Sequence, residues 1–179
     1  MSMLDKITPL ILTLNEEENI ERVLARLSWA REIVVVDSGS SDATQSLLAR
    51  FANVRCVEHK FESHAAQWNY GLTEAGIKTD WVLALDADYV LTEAFVEELR
   101  TLSPDADIAG YRAGFRYCVF GRTLRGTLYP PAIVLYRRAA GRYVQDGHTQ
   151  RLKASGRIEG LQASILHDDR KPLARWLAS

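Results

Sequence analysis

EIVVVDSGSSDATQSLLARF, residues 32–51, passes from one periodicity to another within a few residues. IVVVD is a short, continuous run rich in β-branched residues, which reads as a strand buried on both faces. Beyond it the pattern turns helical: Ser40 or Ser41 can cap the helix, and Asp42 favours its positive N-terminal end. A strand that leads through a small polar turn into a helix is the first part of a βαβ unit. NVRCVEH (53–59) then reads as the strand that completes it.

The alternation extends in both directions. Upstream, ITPLILTL (7–14) reads as a strand and NEEENIERVLARL (15–27) as a helix. Asn15 and Glu18 stand there at capping-box spacing, and Ile20, Val23, Leu24 and Leu27 recur on one face. Downstream, SHAAQWNYGLTEAGI (63–77) reads as a helix, WVLALDAD (81–88) as a strand, and TEAFVEELRTL (92–102) as an amphipathic helix capped by Thr92. Strands alternating with helices of this length predict an α/β fold, a mostly parallel Rossmann-like sheet flanked by helices. Ligands of such sheets bind beyond the carboxyl ends of the strands. That rule lines up Thr13 and Asn15, Asp37 and Ser38, and Asp86 and Asp88 along one edge.

Composition bounds the possibilities. With 179 residues, 47% hydrophobic and 25% charged, the chain is expected to form one globular domain, residues 1–179. A net charge of −1 argues against general nucleic-acid binding. Cys56 and Cys118 are far from any C-x-x-C spacing and read as reduced, which fits the cytoplasm. The apolar stretch ending at Leu14 is too short for a secretion signal. No apolar run approaches the roughly 20 residues of a spanning helix, so any membrane contact is expected to be peripheral.

The second half has a different character. Between Ile108 and Gln145 there is no Asp or Glu, while Arg112, Arg116, Arg122, Arg125, Arg137, Arg138 and Arg142 interleave with aromatic residues. This pattern suits antiparallel strands with arginine outward, a basic face for an anionic ligand, or both. GRTLRGTLYPP (121–131) reads as a loop able to cover a cleft.

The chemistry concentrates in VLALDADYVL, residues 82–91. On an extended segment Asp86 and Asp88 point the same way, and two like charges beside apolar residues are costly unless a cation neutralises them. Such a pair holds Mg²⁺ or Mn²⁺ with few protein ligands and leaves positions for phosphate oxygens.

LTLNEE (12–17), VVVDSGSSDAT (34–44), AAQWNYGL (65–72) and LALDADYVL (83–91), in this order and spacing, resemble glycosyltransferase family 2, inverting enzymes of the GT-A fold. The resemblance covers about the first 100 residues and is strongest to small bacterial enzymes of lipopolysaccharide-core and surface-glycan assembly. It implies a nucleotide-sugar-binding half at 1–100 and an acceptor-side half at 101–179, in either a short or a C-terminally truncated member. By the same resemblance, Leu12, Thr13, Asn15 and Glu16 would frame the nucleotide and Asp37 would hold the base, uracil by this reading. Ser38 stands where other members have a second aspartate, and Gln67 and Asn69 lie on the helix that borders the donor site, though Asn69 and Trp68 could simply pack that helix. Asp86 would meet the ribose or donor sugar and Asp88 the metal, Mn²⁺ or Mg²⁺, with Asp86 beside it.

An inverting transfer needs a base to take the proton of the acceptor hydroxyl. Asp146 in YVQDGHTQ is the candidate and His148 its competitor, because Thr149 stands where relatives often have Glu. His167 in ILHDDRK could approach the metal or make structural hydrogen bonds, and Arg175 and Trp176 lack the glutamine of a processive signature. The resemblance thus implies a nucleotide-sugar donor and a bacterial glycan or glycolipid acceptor; from charge distribution alone, the arginine-rich segment is expected to face an anionic acceptor at the inner face of the cytoplasmic membrane. Two other readings compete: a haloacid-dehalogenase-type phosphatase using Asp86 and Asp88, and a nucleotide-sugar-binding module without catalysis.

Overall fold

The structure, a computed structural model, describes residues 2–119, 121–126, 129–147 and 149–172. After a 3₁₀ turn at Met3–Lys6 come β1 (Ile7–Thr13), α1 (Ile20–Ala25), β2 (Ile33–Asp37), α2 (Thr44–Leu48), β3 (Val54–Glu58), α3 (His64–Thr73) and β4 (Trp81–Asp86). Then follow β5 (Tyr89–Val90), α4 (Glu93–Thr101), β6 (Ile108–Ala113), β7 (Phe115–Val119), β8 (Arg122–Thr123) and β9 (Ala132–Arg137). The last strands are β10 (Gly141–Asp146), β11 (Thr149–Ala154), β12 (Arg157–Gly160) and β13 (Ile165–His167).

Seven strands form the central sheet in the order β12-β6-β9-β4-β1-β2-β3. β1 runs parallel to both β2 and β4, and β2 to β3, as the alternation predicts. β9 enters antiparallel between β4 and β6, which gives the second half its different character. Period-two alternation sends neighbouring side chains to opposite faces. Thus Ile11 joins Leu24, Leu48 and Phe95 beneath α1, α2 and α4, whereas Leu10 joins Trp68, Leu72 and Tyr143 beneath α3 and the β10–β11 hairpin. Leu10, Ile11, Leu24 and Phe95 are fully buried, each worth about 1.5–3 kcal/mol in area removed from water.

Helix starts differ in part from the sequence reading. Thr92 caps α4 as expected, accepting from the Phe95 N–H at 3.1 Å, and Ser63 caps α3 in the same way. The capping box at Asn15 does not form: α1 begins at Ile20, and Asn15 has a φ of 56°. Its Oδ1 instead accepts from the backbone N–H groups of Ser41 and Asp42, at 2.8 and 3.3 Å. Neither Ser40 nor Ser41 caps α2: its N-cap is Ala43, without a side-chain cap hydrogen bond, and Asp42 just before it accepts from the Thr44 N–H at 2.9 Å. Asp42 is close enough in sequence to turn back on Thr44, whereas both serines face the loop after β1.

A four-stranded sheet, β5-β13-β7-β8, sits beside the main one. β13 pairs antiparallel with β5, matching His167 to Tyr89, and parallel with β7, matching His167 to Tyr117. This pairing carries the segment 167–171 back to the start of α1. There Asp168, which is buried, accepts from Arg22 at 2.7 Å and from Arg170 at 2.8 Å. Asn19, also buried, donates to Asp169 at 2.8 Å and accepts from the Arg170 N–H at 2.8 Å.

The arginine-rich stretch does not form one face. Arg112, Arg116, Arg122, Arg125 and Arg142 are exposed, but Arg137 lies over the Trp81 ring at 4.7 Å and donates to the Ile108 carbonyl. Arg138 donates to the Thr79 carbonyl. Both sit at the amino end of β4, away from the aspartates at its carboxyl end. Among the described residues no helix is long and apolar enough to cross a membrane.

Candidate active site

Parallel register builds the site. Thr13 of β1 stands opposite Asp37 of β2, and Leu12 opposite Asp86 of β4, so three adjacent strands deliver their last side chains at one level. A cleft of about 610 Å³ opens there, lined by Leu12, Thr13, Glu16, Ser38, Gln67, Asp86 and Asp88 among others. Seven residues singled out in the sequence therefore meet around one space. Phe61, His64, Trp68 and Gln150 join them. Sequence reading passed over His64 and Gln150 because neither belongs to a spaced motif.

Asp37 lies behind the cleft wall rather than in it. It is fully buried, and its oxygens accept from Thr13 Oγ1 (2.7 Å), Ser40 Oγ (2.6 Å) and the Ser40 N–H (2.8 Å). The Gly39 N–H and Gln45 Nε2 add two more donors at 3.2 and 3.0 Å. Burial alone would raise this carboxyl, but the hydrogen bonds from Gln45, Ser40 and Thr13 outweigh it and hold the group below the usual range. Ser40 Oγ in turn accepts from the Asn15 N–H at 2.8 Å. Asp37 and Asn15 thus knit the loops after β1 and β2 together.

Gln67 is likewise fully buried. Its Nε2 donates to Ser38 Oγ and to the His59 carbonyl, both at 2.9 Å. Asn69 packs its helix, its amide reaching the Tyr143 carbonyl and N–H, each at 2.9 Å.

The two aspartates take different environments because β4 ends at Asp86 and Asp88 falls in the turn before β5. The Asp86 carboxylate opens into the cleft but is otherwise enclosed by protein. That enclosure, with the Asp88 charge beside it, pushes the group up to about 6, and a hydrogen bond from Tyr89 offsets part of the rise. Asp88 faces His167, with Oδ2 and Nε2 3.0 Å apart. Burial disfavours the charged imidazole, but the Asp88 carboxylate prevails and raises His167 above its ordinary value. Rings of Tyr89 and Tyr117 flank His167 at 5.2 and 4.6 Å. Tyr129, from the loop expected to cover a cleft, stacks on Tyr117 at 5.4 Å.

Glu16 is held by the C-terminal segment. It forms an ion pair with Lys171 and accepts from Asn19 at 3.0 Å. Burial is the larger influence and raises its carboxyl despite both partners. Glu16, Asp86 and Asp88 place three carboxylates around one cleft. Asp88 Oδ1 is buried without a hydrogen-bond partner, and Asp88 Oδ2 and His167 Nε2, 3.0 Å apart, have the separation of neighbouring ligand atoms on one divalent ion. The residues present therefore fit Mn²⁺ or Mg²⁺, with Asp88 and His167 as the groups that would hold it and Asp86 adjacent.

Asp146 ends β10 at the tip of the β10–β11 hairpin, where its Oδ2 pairs with Arg151 at 2.7 Å. It is not among the residues lining the cleft. His148, Arg175 and Trp176 lie outside the described residues.

Parallel strands β1, β2 and β4, ending in Thr13, Asp37 and Asp86, with antiparallel β9 beside β4, build the α/β sheet of a GT-A glycosyltransferase. The profile of glycosyl transferase family 2 matches residues 10–162, and the chain belongs to that family. The phosphatase reading falls with this membership. The chain is 31% identical over 140 residues to the lipopolysaccharide core biosynthesis glycosyltransferase LpsC of Rhizobium meliloti, covering 74% of this chain and 51% of that protein. An uncharacterized glycosyltransferase of Rickettsia bellii is 33% identical over 95 residues, 52% of this chain and 31% of its own length. The chain thus spans about half or less of these curated relatives. Among solved structures, S. aureus TarS 1-349 in complex with UDP-GlcNAc superposes with a TM-score of 0.70 at 16% identity, over 93% of this chain and 59% of that one. Glucosyl-3-phosphoglycerate synthase from Mycobacterium tuberculosis, in complex with Mn²⁺, UDP and phosphoglyceric acid, gives 0.61 at 16% identity, over 97% and 74%.

Proposed function

We propose that this chain carries the donor-binding and catalytic site of a metal-dependent, inverting glycosyltransferase. It moves a sugar from a UDP-sugar to a hydroxyl of a bacterial glycan or glycolipid of the lipopolysaccharide-core type. The observation that carries this reading is Asp88, paired with His167 and with Oδ1 buried and unpartnered, on a cleft that Asp86 and Glu16 also line. The UDP and Mn²⁺ complexes of the structural neighbours support the donor class, and the name of the Rhizobium relative supports the acceptor class.

In this reading Leu12, Thr13, Glu16 and Ser38 frame the nucleotide, and Asp37, Asn15 and Gln67 hold the loops that present them. Asp86 orients the ribose or donor sugar. When bound by Asp88 and His167, the divalent ion supplies charge neutralisation for the departing diphosphate. Asp146 is assigned as the base that takes the acceptor proton while the hydroxyl attacks the anomeric carbon opposite the diphosphate. Its hairpin borders the cleft through Gln150.

Thermal unfolding with UDP, with and without Mn²⁺, tests the donor site. At a hundredfold excess over Kd, ligand adds about 2.7 kcal/mol, or roughly 5–10 °C for a chain of this size. The rise is expected to need Mn²⁺ and to vanish in Asp88→Asn and His167→Ala. An equal rise without metal, or one that survives both substitutions, would refute the assignment. Slow UDP-sugar hydrolysis is expected alongside; metal-dependent binding with no turnover would favour the non-catalytic module.

A further inference from the structure

Beside the donor cleft lies a second cavity of about 520 Å³. The two share Trp68, Asp86 and Gln150, so a molecule in the second reaches the aspartate that faces the donor. We propose that this cavity takes an acidic saccharide acceptor, whose carboxylate or phosphate is gripped by Arg112 and Arg151. The proposal rests on reading the neighbouring cleft as the donor site.

Arg112 is placed at the cavity rather than merely exposed. The β6–β9 pairing shifts register between Tyr111 and Arg112, where β9 carries Val134 as the extra residue, so Arg112 stands opposite Ile133, which lines the same cavity. The Arg112 carbonyl is pinned by the Leu161 N–H at 2.9 Å, which fixes the backbone behind it. Its guanidinium forms no ion pair with a described residue. Arg151 lines the same cavity from β11 on the hairpin. Phe115, Tyr143 and Ile133 make much of the remaining wall apolar. Both arginines are exposed to solvent at the cavity, and a planar or tetrahedral oxyanion there offers each guanidinium a partner that accepts two N–H bonds.

The cavity also has a direction. Asp86 lies on the side shared with the donor cleft, whereas Arg112 and Arg151 line only the second cavity. An acidic sugar is therefore oriented with its anionic group away from Asp86 and a hydroxyl toward the donor. The apolar wall of Phe115, Ile133 and Tyr143 suits the C–H face of a sugar ring. A consequence follows for Asp146, which Arg151 now holds at 2.7 Å. An anion that recruits Arg151 releases that carboxylate.

The test is titration calorimetry of the chain, with UDP and Mn²⁺ present, using three probes: methyl β-glucuronide, glucose 6-phosphate and the neutral methyl β-glucoside. At least one acidic probe is expected to bind tenfold or more tightly than the neutral sugar, and the stronger of the two identifies carboxylate or phosphate as the source. Arg112→Gln and Arg151→Gln are each expected to lose at least tenfold for that probe while UDP affinity stays unchanged, which also shows that the variants fold. Acidic probes that bind no better than the neutral one, or a preference that survives both substitutions, overturn the proposal. Absence of UDP binding by the unsubstituted chain overturns the donor-site reading instead, and the acidic preference is then read from the probes alone.

Discussion

Replacing Asp37 by Asn preserves shape and removes one charge, and its cost can be worked from the donors around it. Five donors converge on this buried carboxylate: two hydroxyls on Oδ1 and three N–H groups on Oδ2. The new amide nitrogen settles at the Oδ1 position, because the Thr13 and Ser40 hydroxyls can rotate to accept whereas N–H groups cannot. The three N–H groups then face a neutral oxygen. Hydrogen bonds to charged groups contribute about 1.5–3 kcal/mol and neutral ones about 0.5–1.5, so each loses roughly 1 kcal/mol and the total is about 3. Asp37→Ala costs more, since all five donors lose their acceptor. The effect depends on pH with a defined sign. Because the folded carboxyl lies below its ordinary value, its contribution is present above the unfolded pKa of about 3.9 and is lost as pH falls through the folded value. The gap between the parent and the Asn variant is therefore widest at pH 7 and narrows below about pH 4. Urea unfolding at several pH values measures it through the midpoints at common slope. An Asn variant within about 0.5 kcal/mol of the parent at pH 7, or a gap that does not change with pH, would refute the reasoning.

Two further predictions concern stability and reactivity. Cys56 is exposed, yet partial burial of its thiol and the nearby charges of Asp37 and Glu58 push it up to about 11. Its alkylation by iodoacetamide at neutral pH is expected to be slower than that of free cysteine by on the order of a hundredfold, following the thiolate fraction; a rate equal to free cysteine would contradict this. Gly110 sits where an added Cβ would meet the Leu135 carbonyl oxygen at 2.8 Å and Tyr136 Cβ at 3.0 Å. Gly110→Ala should cost about 1–3 kcal/mol in thermal unfolding, as overpacking does. Gly160→Ala, where nothing lies within 4 Å, serves as the control.

Much of the first half was legible because its signals are local. A β-branched run bounded by a polar turn buries itself in any parallel sheet, so β1, β2, β3 and β4 followed from pattern, and their aligned carboxyl ends followed from parallel register. The capping box at Asn15 shows where local spacing misleads. Asn15 and Glu18 have the right separation, but the loop after β2 offers the asparagine two N–H groups and draws it away. Asp37 makes a related point: its place at a strand end is legible in sequence, whereas the five donors that converge on its buried carboxylate come from the tertiary structure.

The arginine-rich stretch needed the fold to be sorted. Its charges look alike in sequence, yet β9 and the turn after it carry Arg137 and Arg138 to the far end of the sheet, while Arg112 on β6 lines the second cavity. Periodicity reports which side of an element is buried and says nothing of which end of the sheet a returning strand will reach.

By itself the amino-acid sequence determined the alternation of strands and helices, the carboxylates at the strand ends, and a resemblance specific enough to indicate the family. Only tertiary structure joined His167 to Asp88 across 79 residues and Lys171 to Glu16 across 155. The physical reason is that these contacts depend on β13 entering between β5 and β7 in one register, and that choice is made by packing among three distant segments rather than by any local propensity.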